Sequence, residues 1–206
     1  GEEDEQLTDN EMAGTIVLAI VLASALFIAI PTGAAKLFHE ITDDPFFLNL
    51  MEGFLRLLIF LAYLTAISRM KDIQRVFQYH GAEHKTIFCY EADLPLTVEN
   101  VQKFPRLHPR CGTTFLLIVM LVSIFVFAFL GWPDLWLRIA SRIVLLPVVA
   151  GISYEIIRLA ARSENFLIRA AIMPGLWLQY LTTRQPDDEM VEVAIASLNA
   201  VIPKEV

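Results

Sequence analysis

At 206 residues the chain has the length of one or two soluble domains, but its 56% apolar residues come in long blocks that exclude an ordinary soluble fold. The formal charge of −7 is concentrated at the start: six acids fall within Gly1–Glu11, and the remainder holds 17 acids against 16 bases. That balance leaves no basic patch of the kind nucleic acid requires, so nucleic acid is excluded as a partner.

In chain order, residues 1–11 read as an acidic, flexible lead-in. Its charge is opposite to the basic flank of a secretory signal, and the abrupt opening on Gly1 predicts a fragment of something longer. Met12 to Ile30 then runs 19 residues without a charge, and Thr113 to Trp132 runs 20. At ~1.5 Å per residue, about 20 residues cross a ~30 Å hydrocarbon core, so both are expected to span a membrane. Phe46 to Ser68 and Trp136 to Leu159 are long enough to join them. Glu52 and Arg56 interrupt the former at a spacing where helical side chains meet, either as an internal ion pair or as a polar lining. The expected fold is therefore all-α: a membrane bundle of about four spans over 12–162, with a helical loop over 69–112 and interfacial and C-terminal helices over 163–206.

Lys and Arg in short loops set orientation. Pro31 to Pro45 holds one base, Lys36, whereas Arg69 to Gly112 holds seven. Both termini and the middle loop are accordingly expected in the cytoplasm, with the protein in the inner (plasma) membrane. In that reducing compartment Cys89 and Cys111 remain thiols.

Within the loop, Met70 to Glu91 contains no proline and predicts a helix, bent near Gly81 if anywhere. Asp93-Leu-Pro95 breaks it, and Thr97 with Asn100 predicts the cap of a short helix through about Phe104. Pro105 to Gly112 forms a compact loop that delivers His108 and Cys111 to the third span. In the tail, Phe166 to Leu181 is cut by Pro174-Gly175 and predicts a re-entrant or interfacial helix. Pro186-Asp-Asp-Glu189 opens a last helix, whose Met190, Val193, Ala194 and Leu198 form a docking stripe.

The chemistry concentrates at His80-Gly-Ala-Glu83-His84. Residues four apart on a helix share a face, so both imidazoles reach one ion, and Glu83 points to nearly the same side. This is the H-x-x-E-H arrangement of inverted zinc hydrolases, in which histidines ligate and the glutamate takes a proton from bound water. Three of the four histidines and both cysteines fall between His80 and Cys111. His108 and Cys111 either close a four-ligand structural site or help build an open catalytic one. Glu155 is a further candidate ligand, or a partner for Arg158 or Arg162 one turn on. Cys89 suits a buried apolar position, and His39 has no apparent partner in the sequence. The expected ion is zinc or another divalent metal.

FQYHGAEHKTIFCYE, HPRCGTTF and PGLWLQYLTTRQPDDEMVEVAIASL resemble the YqhQ-like family of bacterial multi-pass membrane proteins, described as predicted metal-dependent enzymes. The resemblance covers nearly the whole chain from Met12 to Leu198. It implies that His80, Glu83, His84, His108 and Cys111 belong to that family's polar cluster. A glycine-containing section resembling GGQAVIEGVMMRG, typical of members before the first span, is absent here. That absence makes the missing N-terminal segment, or a second copy of the chain, a candidate partner beside membrane lipid. Two functions follow: a zinc-dependent hydrolase acting on a membrane-proximal peptide or lipid, with Glu83 as base, or a non-enzymatic scaffold stapled by a structural metal.

Overall fold

The structure, a computed structural model, describes residues 8–163 and 165–202, and among these it is entirely helical. The acidic lead-in lies outside the described residues as far as Leu7. Its last part is already helix: Thr8 accepts from the Glu11 amide, Glu11 reaches back to the Thr8 amide at 2.9 Å, and α1 (Asp9–Ser24) starts on this capping box.

The helical run that α1 begins does not stop at Pro31, where an apolar count would end it. A π-helical turn, Ala25–Ala29, leads directly into α2 (Ile30–His39), giving one apolar helix from Asn10 to His39. Pro31 has no N–H for the carbonyl four residues back and would clash with it in a regular helix. The wider turn absorbs that mismatch. The carbonyl left over, that of Phe27, accepts from Arg56 Nε at 3.1 Å.

α3 (Pro45–Ile67) and the Leu135–Ala160 stretch of α7 (Leu135–Arg162) are also long and apolar enough to cross a membrane. The Thr113–Trp132 run departs from expectation. Its helix, α6 (Gly112–Ala128), has 17 residues, or ~26 Å, less than the hydrocarbon core. Phe129 and Leu130 bond three residues back rather than four, and Gly131 turns at φ +74, a conformation that favours glycine. Asn49 Nδ2 holds the Gly131 carbonyl at 2.8 Å. Among the described residues three helices thus meet the length for a span, where about four were expected. Val17, Phe125, Ile143 and Val144 are exposed, the arrangement lipid requires of an outer face.

The chain divides into two compact units. One comprises residues up to Leu61 together with Ile124–Arg138; here Glu52, fully buried, pairs with Arg56 at 2.8 Å. His39 is not isolated in this unit: it lies 3.3 Å from Asp43 and edge-on to Trp132.

The other unit, Ala62–Ser123 and Ile139 onward, holds the polar motifs. α4 (Lys71–Glu91) is continuous through Gly81, and α5 (Val98–Gln102) is capped by Thr97. α8 (Phe166–Ala170) and α9 (Met173–Thr182) replace the single interfacial helix, and the break precedes Pro174-Gly175 instead of falling on it. Proline fits there because a first turn needs no donor at that position. α10 (Asp188–Val201), capped by Asp187, lays Met190, Val191, Ala194 and Ile195 on α4 around Ala82 and Cys89. The docking stripe thus includes Val191, whereas Val193 faces out.

Candidate metal centre

α4 presents His80 and His84 one turn apart, and close backbone approaches fix both rings. A Cβ on Gly81 would lie 2.1 Å from the Arg184 carbonyl, so only glycine lets the 182–185 segment pass there. The Arg184 amide bonds the Phe77 carbonyl at 2.8 Å, which sets the Thr182 carbonyl 2.8 Å from His80 Nδ1. His84 Nδ1 lies 2.6 Å from the Arg106 carbonyl. A carbonyl only accepts, so each Nδ1 must carry hydrogen. Each neutral ring therefore keeps its lone pair on Nε2.

The third group is Cys111, buried at the N-terminal edge of α6. Its sulfur accepts from the Thr113 amide at 3.4 Å and lies 3.2 Å from His80 Nε2. Donor atoms of His80, His84 and Cys111 all fall within 4.8 Å of one another. Burial pushes the Cys111 thiol up, but hydrogen bonds from His80, His84 and Thr113 outweigh it and bring the thiol to about 5. Burial likewise pushes His80 down, yet its bonds to Cys111 and the Thr182 carbonyl raise it above the ordinary histidine value.

One side chain latches the loop that carries Cys111. Gln179 of α9, fully buried, accepts from the His108 amide at 2.8 Å and donates to the His108 carbonyl and the Thr114 hydroxyl, each at 2.7 Å. α9 comes this close because a Cβ on Gly175 would sit 2.4 Å from Thr114 Cγ2. Lys85, buried next to His84, ties down the carbonyls of Gln102 and Phe104 at 2.9 and 2.8 Å.

His80, His84 and Cys111 are brought together, and the other sequence candidates stand apart. His108 is buried beside His84, but its Nδ1 already accepts from the Arg110 amide at 3.2 Å. Its Nε2 lies 3.6 Å from Glu91, beyond hydrogen-bond reach, and has no bonding partner among the described residues. Burial pushes His108 below its ordinary value, reinforced by His84 and Arg110 against the pull of Glu91. Glu83 is exposed and lines a groove with Tyr79, His80, Val193 and Ser197, but it is not among the three groups whose donor atoms converge. Glu155 is exposed and pairs with Arg158 at 3.3 Å, the alternative its spacing offered. Cys89 is buried, and burial raises its thiol.

Sequence reasoning missed Glu91 and Gln179. Glu91 pairs with Arg110 and lines a cavity of about 680 Å³ onto which Cys111 opens. Gln179 had a signal, as a lone amide in the apolar run Leu176-Trp-Leu-Gln-Tyr-Leu181. Thr182 and Arg106 act through their carbonyls, which carry no sequence signal.

A family described as protein of unknown function (DUF1385) matches this chain over residues 1–204. The chain belongs to that family. Among curated DUF1385-like relatives it is similar to the uncharacterized protein YqhQ of Bacillus subtilis (strain 168), at 44% identity over 191 residues. The match covers 90% of this chain and 59% of the relative, so the chain spans little more than half of that protein's length. No solved structure matches it. DUF1385 membership bears out the YqhQ-like resemblance carried by the three sequence blocks.

Proposed function

We propose that this DUF1385 chain is a membrane-embedded, zinc-dependent hydrolase whose metal is held by His80 Nε2, His84 Nε2 and Cys111 Sγ. One observation carries the reading: two Nδ1–H groups are committed to backbone carbonyls, which leaves two lone pairs converging on a thiol held near pKa 5. Ligating histidines are oriented in this way by their outer hydrogen bonds. Three protein donors suit a catalytic zinc, because they leave one coordination position for water or substrate. The bound ion supplies a Lewis acid and makes water nucleophilic near neutral pH.

The remaining roles belong to side chains around the cavity. Glu91, which lines it beside Cys111, takes the proton, and His108 next to it holds or returns that proton. Glu83, exposed and outside the cluster of three donor groups, is a surface acid in this reading. The substrate is a membrane-proximal peptide or lipid. The seven bases of 69–112 favour the cytoplasmic side of the plasma membrane for the centre.

Anomalous scattering at the zinc edge tests the ligand set. A peak is expected about 2.0–2.1 Å from both Nε2 atoms and about 2.3 Å from Sγ. Rings that diverge, with no peak after soaking in zinc, end the proposal. A structural staple is the second reading, favoured because the cluster joins α4 to the start of α6. It predicts a fourth protein ligand in that map, and a Glu91→Gln protein unchanged in every respect. The enzyme keeps its zinc and loses turnover.

A further inference from the structure

The cavity beside Cys111 is lined by two kinds of surface. Arg110, Arg158 and Arg162 supply three guanidiniums against the single carboxylate of Glu91, while Phe115, Tyr154 and Ile157 supply apolar area. Arg110 is paired with Glu91, and Arg158 with Glu155. Arg162 has no ion-pair partner among the described residues. Arg158 and Arg162 lie one turn apart, so they share a face of α7. They flank the end of its apolar stretch at Ala160, the depth at which arginines meet phospholipid headgroups.

We propose that this cavity receives the phosphate of an anionic phospholipid, which makes such lipids the substrate class of the metal centre; the assignment rests on the function proposed above. The phosphate sits on Arg158 and Arg162, close to Cys111, and the first methylenes of the chains lie on Phe115, Tyr154 and Ile157. Guanidinium forks match phosphate oxygens and stay charged at any working pH. A soluble anion satisfies the arginines but leaves the apolar wall wet. A neutral lipid covers that wall and leaves the guanidiniums without a counter-charge. An anionic amphiphile meets both demands, as basic pockets between membrane helices commonly do.

The test is calorimetric titration of the full chain, purified in detergent, with dihexanoyl phosphatidate, dihexanoyl phosphatidylcholine, inorganic phosphate and an acidic hexapeptide. Phosphatidate should bind about tenfold or more tightly than any of the others, the scale of one hydrogen bond to a charged group. Arg158→Gln with Arg162→Gln should abolish that preference, the corresponding Lys pair should restore part of it, and Arg75→Gln on the exposed face of α4 should leave it intact. The proposal is overturned by equal affinity for the two lipids, by a preference that survives the double Gln change, or by phosphate or peptide binding as tightly as phosphatidate. Zinc content of the same samples keeps the two readings apart. A zinc-loaded protein indifferent to phosphatidate sinks the lipid assignment alone, and a phosphatidate-selective protein that never takes up zinc sinks the metal centre alone.

Discussion

The Glu52–Arg56 pair of one unit and the His80–His84–Cys111 cluster of the other both remove polar groups from water, yet they leave different things over. In the first, the guanidinium bonds the carboxylate at 2.8 Å and fills the Phe27 carbonyl that Pro31 cannot serve. Partner and repair lie within the same bundle, and the charges cancel. In the second, outward-facing ring atoms are bonded to carbonyls, and the inward-facing donors converge on one another, with Thr113 also bonded to the sulfur. Proximity of charged residues in an apolar chain therefore does not identify a site. Convergent lone pairs whose orientation is fixed from behind do.

The largest expected effect falls on the closed pair. Arg56→Met strands a buried carboxylate and should cost about 3–5 kcal/mol in a denaturant titration, with zinc content unchanged, while Glu52→Leu added to it should recover most of that loss. If the single change instead lowers zinc binding, the two clusters are not independent and the contrast fails.

His84→Ala should act the other way, with little change in unfolding but zinc affinity reduced by more than ~100-fold in competition with a chelator. That exceeds the 10–100-fold loss typical of an outer-shell partner. Gly81→Ala bridges the two kinds of effect. The added methyl meets the Arg184 backbone, so ~1–3 kcal/mol of destabilisation is expected together with weaker zinc binding, because the Thr182 carbonyl behind His80 moves as well.

The smallest effect is on pH dependence in zinc-stripped protein. Cys111 is held at about 5, below an unfolded thiol, so its contribution is full above the unfolded thiol value, diminishes as pH falls below it and is gone once pH passes about 5. His80 is raised, so its contribution is present below the ordinary histidine value and is lost as pH climbs through its own higher midpoint. The pair is therefore tightest between these two limits. Iodoacetamide labelling of Cys111, followed by mass spectrometry, should already be near its plateau at pH 6.5 and should be blocked by zinc. Labelling that only begins to rise near pH 8 would remove the thiolate from the cluster.

Much of the fold was legible because apolar length and helical pitch are local properties. Met12–Ile30 had to be helix in lipid, and Thr97 and the acids after Pro186 announced their helix starts. Span ends were less legible. Pro31 reads as a stop in a linear count, yet a π turn carries the helix past it. The Thr113–Trp132 run looks like a full crossing, but its helix ends at Ala128 and the chain turns at Gly131.

The sequence by itself determined that His80 and His84 lie on one face of a helix, since four residues make about one turn whatever surrounds them. Only the tertiary structure decided that Cys111 completes their cluster while Glu83, His108 and Glu155 stand apart. That choice depends on a missing Cβ at Gly81, on the Gln179 amide holding the His108 loop, and on two backbone carbonyls setting ring tautomers. Each is a contact between residues distant in the chain, and a linear pattern holds no record of which distant backbone will arrive.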